Sequence, residues 1–357
     1  MTTWARRAAA LTACLLATSA CGSVGTERVD GGEVVPAGRD EVTAAARAFL
    51  DAYVEADGRV VRPDQGGDTV SEGVSYALLL AQVADDEATE RRVWRWAQEH
   101  LQRDDTLLAF LTDARGVVTD DQPATDADLV VAWALSRSDD PDLRAQAPEI
   151  VAAIQQQTVV TTSAGPVLAA GPWATGDPAT LNPSYWVLPA LRGLDLDDVA
   201  DTVPAALDQI TPGTAVLPPD WARSDGGNLS ATADPAGLRP DVRHGLDAQR
   251  LTVWLAVDCA PGNRRLAASY APLLRERPEA VSRAQDGAVR ETDAHPLGLV
   301  AAAASADAAG DPAARDELLD RAAALDRREP TYYGSAWVAL GRALLQSDQL
   351  DECKETP

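Results

Sequence analysis

From Asp40 onward the sequence alternates between two kinds of helix-periodic segment, and that alternation restricts the fold more than any other feature. One kind is amphipathic: Asp40–Ala56, Asp86–Leu101, Pro141–Gln157, Leu196–Ile210, Asn263–Arg277 and Asp311–Arg327. Their charged faces belong against solvent. The other kind is apolar nearly all round: Glu72–Ala84, Asp126–Ser136, Pro183–Leu191, Asp247–Asp258, Pro296–Ala309 and Tyr333–Leu345. Helices of that kind must be buried. Six buried helices alternating with six solvent-side ones, with few strand-like runs, predict an all-α (α/α)6 barrel of six inner and six outer helices. Each outer helix runs back antiparallel to its inner neighbours, so the inner helices are parallel and their N-termini emerge at one end.

The chemically capable residues lie at those starts: Ser71-Glu72, Thr125-Asp126, Asn182-Pro183-Ser184-Tyr185, Gly245-Leu246-Asp247 and Tyr332-Tyr333. Ser71 and Thr125 read as N-caps. Any one acidic residue here could serve only to complement a helix dipole, and Asp247 could simply pair with Arg250 one turn on. All of them converging with aromatics at one end of a barrel favours a site. Two carboxylates across a sugar-sized cleft suffice for glycoside hydrolysis, one protonating the leaving oxygen while the other activates water or attacks carbon. Gly-x-Ser-x-Gly and a Gly-rich phosphate loop are absent, and none of His100, His244 and His295 sits in a HExxH pattern. No metal and no cofactor is expected.

Six blocks of the chain, taken in order, are similar to those of glycoside hydrolase family 8, the inverting endo-glucanases. They are Thr69-Val70-Ser71-Glu72-Gly73-Val74-Ser75-Tyr76-Ala77, Ala124-Thr125-Asp126-Ala127-Asp128, Asn182-Pro183-Ser184-Tyr185, Pro219-Asp220-Trp221, Asp247-Ala248-Gln249-Arg250 and Tyr332-Tyr333. The resemblance implies the same barrel, with an open cleft across the inner-helix N-termini. It also implies Glu72 as proton donor, Asp247 as the base that activates water, and Asp126 as the residue that holds and distorts the sugar at the cleavage point. Tyr185, Arg250 and Tyr332 would complete that subsite. Trp173 and Trp221 are candidate sugar-stacking platforms, because an indole face covers the apolar face of a pyranose. A helix N-terminus favours an ionised carboxylate, so burial and the charge of Asp126 must raise Glu72 if it is to act as an acid. The family's chitosanase branch tends to lack the aspartate found here at Asp247, so a β-1,4-glucanase is expected. The alternatives are a xylanase or chitosanase of the same family, and an inactive glycan-binding lipoprotein.

A formal charge of −24, with Lys354 the only lysine, argues against a nucleic-acid partner and for a neutral or cationic polysaccharide. Residues 1–21 place Arg6 and Arg7 before an Ala/Leu-rich run and end in Thr18-Ser19-Ala20-Cys21, the layout of a lipoprotein signal. Cys21 is expected to carry the lipid, with residues 22–39 as a flexible tether and 40–357 as the catalytic domain, a monomer at the outer face of the cell membrane. No later stretch reaches the length of a membrane span, which leaves the lipid as the only membrane contact. Simple cleavage and secretion is the alternative. Cys259 and Cys353 either form a disulfide tying the C-terminal tail to a helix end or remain two free thiols.

Overall fold

The computed structural model describes residues 38–213 and 216–353. The expected signal, Cys21 and the expected tether through residue 37 lie outside the described residues. The amphipathic segments form the outer helices Arg39–Tyr53, Glu87–His100, Ala147–Thr158, Asp197–Ile210, Pro261–Ser269 and Pro312–Arg328. Two of them are broken where the sequence predicts one helix. A short turn of helix, Pro141–Arg144, precedes Ala147–Thr158, and Ala271–Leu274 follows Pro261–Ser269. In both cases a proline, Pro148 or Pro272, sits in the first turn of the later piece, where its missing N–H costs nothing.

The inner helices are Ser71–Val83, Thr125–Arg137, Leu188–Gly193, Leu246–Ala256, Pro296–Ala308 and Tyr332–Gln346. Each packs against the next, and the last packs back on the first, which closes the ring. The third is the shortest because Pro183 and Pro189 both fall within its predicted span, and the chain instead makes a single 3-10 turn at Pro183–Tyr185 before the helix resumes. Indole rings fill much of the interior, with Trp133, Trp186, Trp254 and Trp337 among the largest fully buried side chains. Trp94 and Trp96, on an outer helix, also point inward and are buried.

Short antiparallel sheets gather at the inner-helix N-termini. Strand Thr69–Val70 pairs with Leu111–Thr112 and runs straight into Ser71. Strand Ala179–Leu181 pairs with Trp221–Asp225 and ends at Asn182, while Val289–Ala294 pairs with Ala280–Arg283 and ends at His295. These strands fix the direction in which the chain enters the helices that carry the site.

The two predicted caps are corrected by the structure. Ser71 and Thr125 are the first helical residues, after Val70 and Ala124, and neither side chain caps its helix. Thr125 Oγ1 instead donates to the Ala169 carbonyl at 2.8 Å. At the far end of the barrel, just beyond the C-terminus of Leu246–Ala256, Cys259 and Cys353 are joined by a disulfide.

Candidate active site

One guanidinium gathers the site. Arg250 lies one turn into Leu246–Ala256, and its side chain is only 4% exposed. Its Nη1 donates to Glu72 Oε1 at 2.6 Å and to Asp126 Oδ2 at 2.8 Å. Its Nη2 donates to Asp247 Oδ1 and Ser184 Oγ, both at 2.9 Å. The (i, i+3) pair with Asp247 is therefore one spoke of a network drawn from four inner-helix starts. The guanidinium carbon lies 5.4 Å from the centre of the Tyr185 ring. Arginine suits this position because its planar fork presents several donors in fixed directions and stacks on an aromatic face.

The three carboxylates differ in access. The Asp126 side chain is 7% exposed, that of Glu72 20% and that of Asp247 34%, so Asp126 forms the floor while the other two reach the opening. Asp247 is held at its second oxygen by Asn182 Nδ2 at 3.2 Å. Asn182 is in turn oriented by the amide and hydroxyl of Ser184, which both donate to its Oδ1 at 3.1 and 2.7 Å. Tyr76, one turn along the same helix, donates its hydroxyl to Glu72 Oε1 at 3.0 Å.

Burial pushes the Glu72 carboxyl up to about 7; the Arg250 cation opposes this, and the charge of Asp126 reinforces it. Burial likewise raises Asp126, against the pull of Arg250. Glu72 is thereby a carboxylic acid that can hold a proton near neutral pH.

Beside Asp247 opens a cavity of about 460 Å³ lined by Asp220, Trp221, Asp247, Arg239, Arg243 and Glu291. Trp221 meets the Tyr185 ring edge-on at 6.3 Å. Trp173 is 47% exposed, and its Nε1 donates at 3.1 Å to the carbonyl of Pro123, two residues before the helix that carries Asp126. Each indole thus contacts a segment that carries or adjoins a site residue. Tyr332 does not line the cleft. It is 2% exposed, with its ring against Phe49 and Tyr53. A Cβ on Gly73 would come within 2.7 Å of the Tyr332 hydroxyl, which explains the glycine next to Glu72. The neighbour Tyr333 is half-buried instead, with its ring against His295 and Trp337.

Two further residues support the site without a role that the sequence reveals. Asp220, known from the sequence only as part of Pro219-Asp220-Trp221, accepts the amide hydrogens of Gly245 at 2.8 Å and Ala248 at 2.9 Å on its Oδ1. It is the true cap of the Asp247 helix, supplied from a distant loop, and no local spacing reveals it. Tyr76 sits at i+4 from Glu72 and could have been found from that spacing. Among the described residues no group of three or more His, Cys, Asp or Glu side chains is arranged to hold a metal ion.

The chain is similar to several known proteins. A probable endoglucanase of Novacetimonas hansenii is 36% identical over 164 residues, covering 43% of this chain and 47% of that protein. An endoglucanase of Cellulomonas uda is 28% identical over 223 residues, covering 57% of this chain and 60% of that protein. The matched regions thus span between about half and three-fifths of these relatives' lengths. The solved endo-β-1,4-glucanase of Acetobacter xylinum superposes with a TM-score of 0.72 at 27% identity, covering 87% of this chain and 100% of that one. Residues 37–345 match the glycosyl hydrolases family 8, and the chain belongs to that family.

Proposed function

We propose that the chain is an inverting endo-β-1,4-glucanase, held at the outer face of the cell membrane by a lipid on Cys21, with Glu72 as general acid and Asp247 as general base. The observation that carries this reading is the Arg250 guanidinium, which brings Glu72, Asp126 and Asp247 to the open end of the barrel. The three relatives named above are called endoglucanases, which supports the same substrate class.

In the proposed reaction a β-glucan lies across the inner-helix N-termini, with one sugar over Asp126 and Tyr185. Asp247 removes a proton from a water molecule as its oxygen bonds to the anomeric carbon. The bond from that carbon to the glycosidic oxygen breaks, and Glu72 gives its proton to the departing oxygen. Attack by water itself, from the face opposite the leaving group, inverts the anomeric centre. Trp173 and Trp221 stack sugar rings on either side of the cleavage point.

The test is reducing-sugar release by the full chain from carboxymethyl-cellulose, lichenan, xylan and chitosan, with Asp247→Asn as control. Release from the β-1,4-glucans that disappears in the variant supports the assignment, and proton NMR of the first product should show the α-anomer. Release from xylan or chitosan alone would move the substrate within the family. Silence on all four with retained glycan binding would leave a binding protein. Loss of membrane association in Cys21→Ala tests the anchor.

A further inference from the structure

Five of the six inner-helix starts carry residues already placed in the site, and the remaining start, at Pro296–Ala308, carries His295. We propose that His295 and Tyr333 form a subsite for a neutral pyranose, in which His295 Nε2–H donates to a sugar hydroxyl. The proposal rests on the glucan reading of the cleft and says which residues extend it beyond the cleavage point.

The His295 ring is held in one orientation and one tautomer. Its Nδ1 accepts the amide hydrogen of Leu297 at 3.2 Å and so caps the helix, which leaves the ring proton on Nε2. Its own backbone N–H donates to the Glu279 carbonyl at 2.8 Å, tying the residue to the strand pair that ends there. Burial holds the ring neutral, pushing its titration down to about 4 although the Asp64 carboxylate acts in the opposite direction. Among the described residues Nε2 has no hydrogen-bond partner, and it is not among the sealed polar atoms of the interior. A neutral donor with a fixed direction is thus left at the surface of the barrel end that carries the catalytic groups.

Tyr333 connects this donor to them. The two ring centres are 5.6 Å apart at 42°, and Tyr333 is backed edge-on by Trp337 at 6.5 Å. Trp337 in turn packs against Tyr76, whose hydroxyl donates to Glu72, so His295, Tyr333, Trp337 and Tyr76 follow one another from the histidine to the proposed acid. An N–H donor beside a half-buried ring suits a hydroxylated sugar, whose oxygens accept and whose C–H face stacks. An ammonium group in place of the contacted hydroxyl has no lone pair to accept that hydrogen, so the subsite discriminates against a cationic amino sugar.

The test uses the full chain labelled with nitrogen-15 and titrated with cellotetraose, followed at the His295 imidazole (assigned with His295→Gln) and at the Trp221 indole. The expected spectrum shows a neutral Nε2–H ring from pH 5 to 8 whose signal shifts on saturation. His295→Ala should raise KM roughly three- to tenfold, the weight of one hydrogen bond, with kcat within about twofold, and His295→Gln, which keeps a donor, should recover most of the loss. Movement of Trp221 with a stationary His295 overturns the subsite while leaving the glucan reading intact. A lowered melting temperature in His295→Ala with unchanged KM reduces the residue to a helix cap. If no signal moves, the glucan reading itself falls, and the subsite with it.

Discussion

Nη1 of Arg250 lies 2.6 Å from Oε1 of Glu72, so the proton donor proposed for this site rests against a permanent cation. Such a contact favours the ionised carboxylate, yet burial outweighs it and carries Glu72 up to about 7. A general acid works only while protonated. Activity, read as kcat/KM on carboxymethyl-cellulose, should therefore fall as pH rises through about 7. An alkaline limb near the ordinary carboxylate value of 4.5 would assign the proton to another group.

The same carboxyl couples stability to pH. Glu72 and Asp220 ordinarily titrate at 4.5 and 3.8, and burial raises both to about 7 in the folded chain. For groups raised in this way, the stability they contribute is fully present below the unfolded values and is lost as pH rises through the folded ones. Thermal unfolding between pH 4 and 8 should show a falling melting temperature toward the upper end. Glu72→Gln, which keeps the shape and cannot ionise, should flatten that fall while abolishing turnover. An unchanged slope in the variant would mean that other groups set it.

The barrel is legible in the sequence because burial leaves a plain mark: a helix covered on all sides loses its polar face, as Pro296–Ala308 does almost completely. Glu72, Asp126 and Asp247 are legible because parallel inner helices must bring their starts together. What escapes is supplied across chain distance. Asp220 reaches Gly245 and Ala248 from 25 and 28 residues away. The small sheets escape because strands of two to six residues are too short for alternation to register. Tyr332 and Tyr333 are separable only by their facing, since adjacent helical residues point about 100° apart and one ring packs on Phe49 and Tyr53 while the other packs on His295 and Trp337.

Asp220 sets where Asp247 begins its helix, and a substitution series can separate that role from general stability. Asp220→Ala leaves the Gly245 and Ala248 amides without their acceptor and should cost about 1–2 kcal/mol in stability, the usual weight of an N-cap. Asp220→Asn keeps an acceptor and should lose much less. Gly245→Ala asks more of the site, because its Cβ would fall 2.4 Å from Asp220 Oδ2 and force the two apart. Displacing the base by even part of an ångström should lower kcat by at least about tenfold with little change in KM. Equal kcat in Gly245→Ala and the parent would show that the helix start tolerates movement.

Disulfide loss should separate stability from catalysis. Cys259 and Cys353 enclose a stretch with a sequence separation of 94 and lie at the end of the barrel away from Arg250. Opening the bond releases the unfolded chain from that constraint, an effect of about 2–4 kcal/mol. The folded tail keeps other holds, because Trp133 Nε1 donates to Glu352 at 2.8 Å and Arg137 pairs with the same carboxylate. Cys353→Ser should therefore lower the melting temperature by several degrees while kcat/KM at 25 °C stays within about twofold, since the hydrogen-bond partners of Arg250 all lie at the opposite ends of the inner helices. A matching loss of activity at 25 °C would mean that the far end of the inner helices controls the position of Asp247.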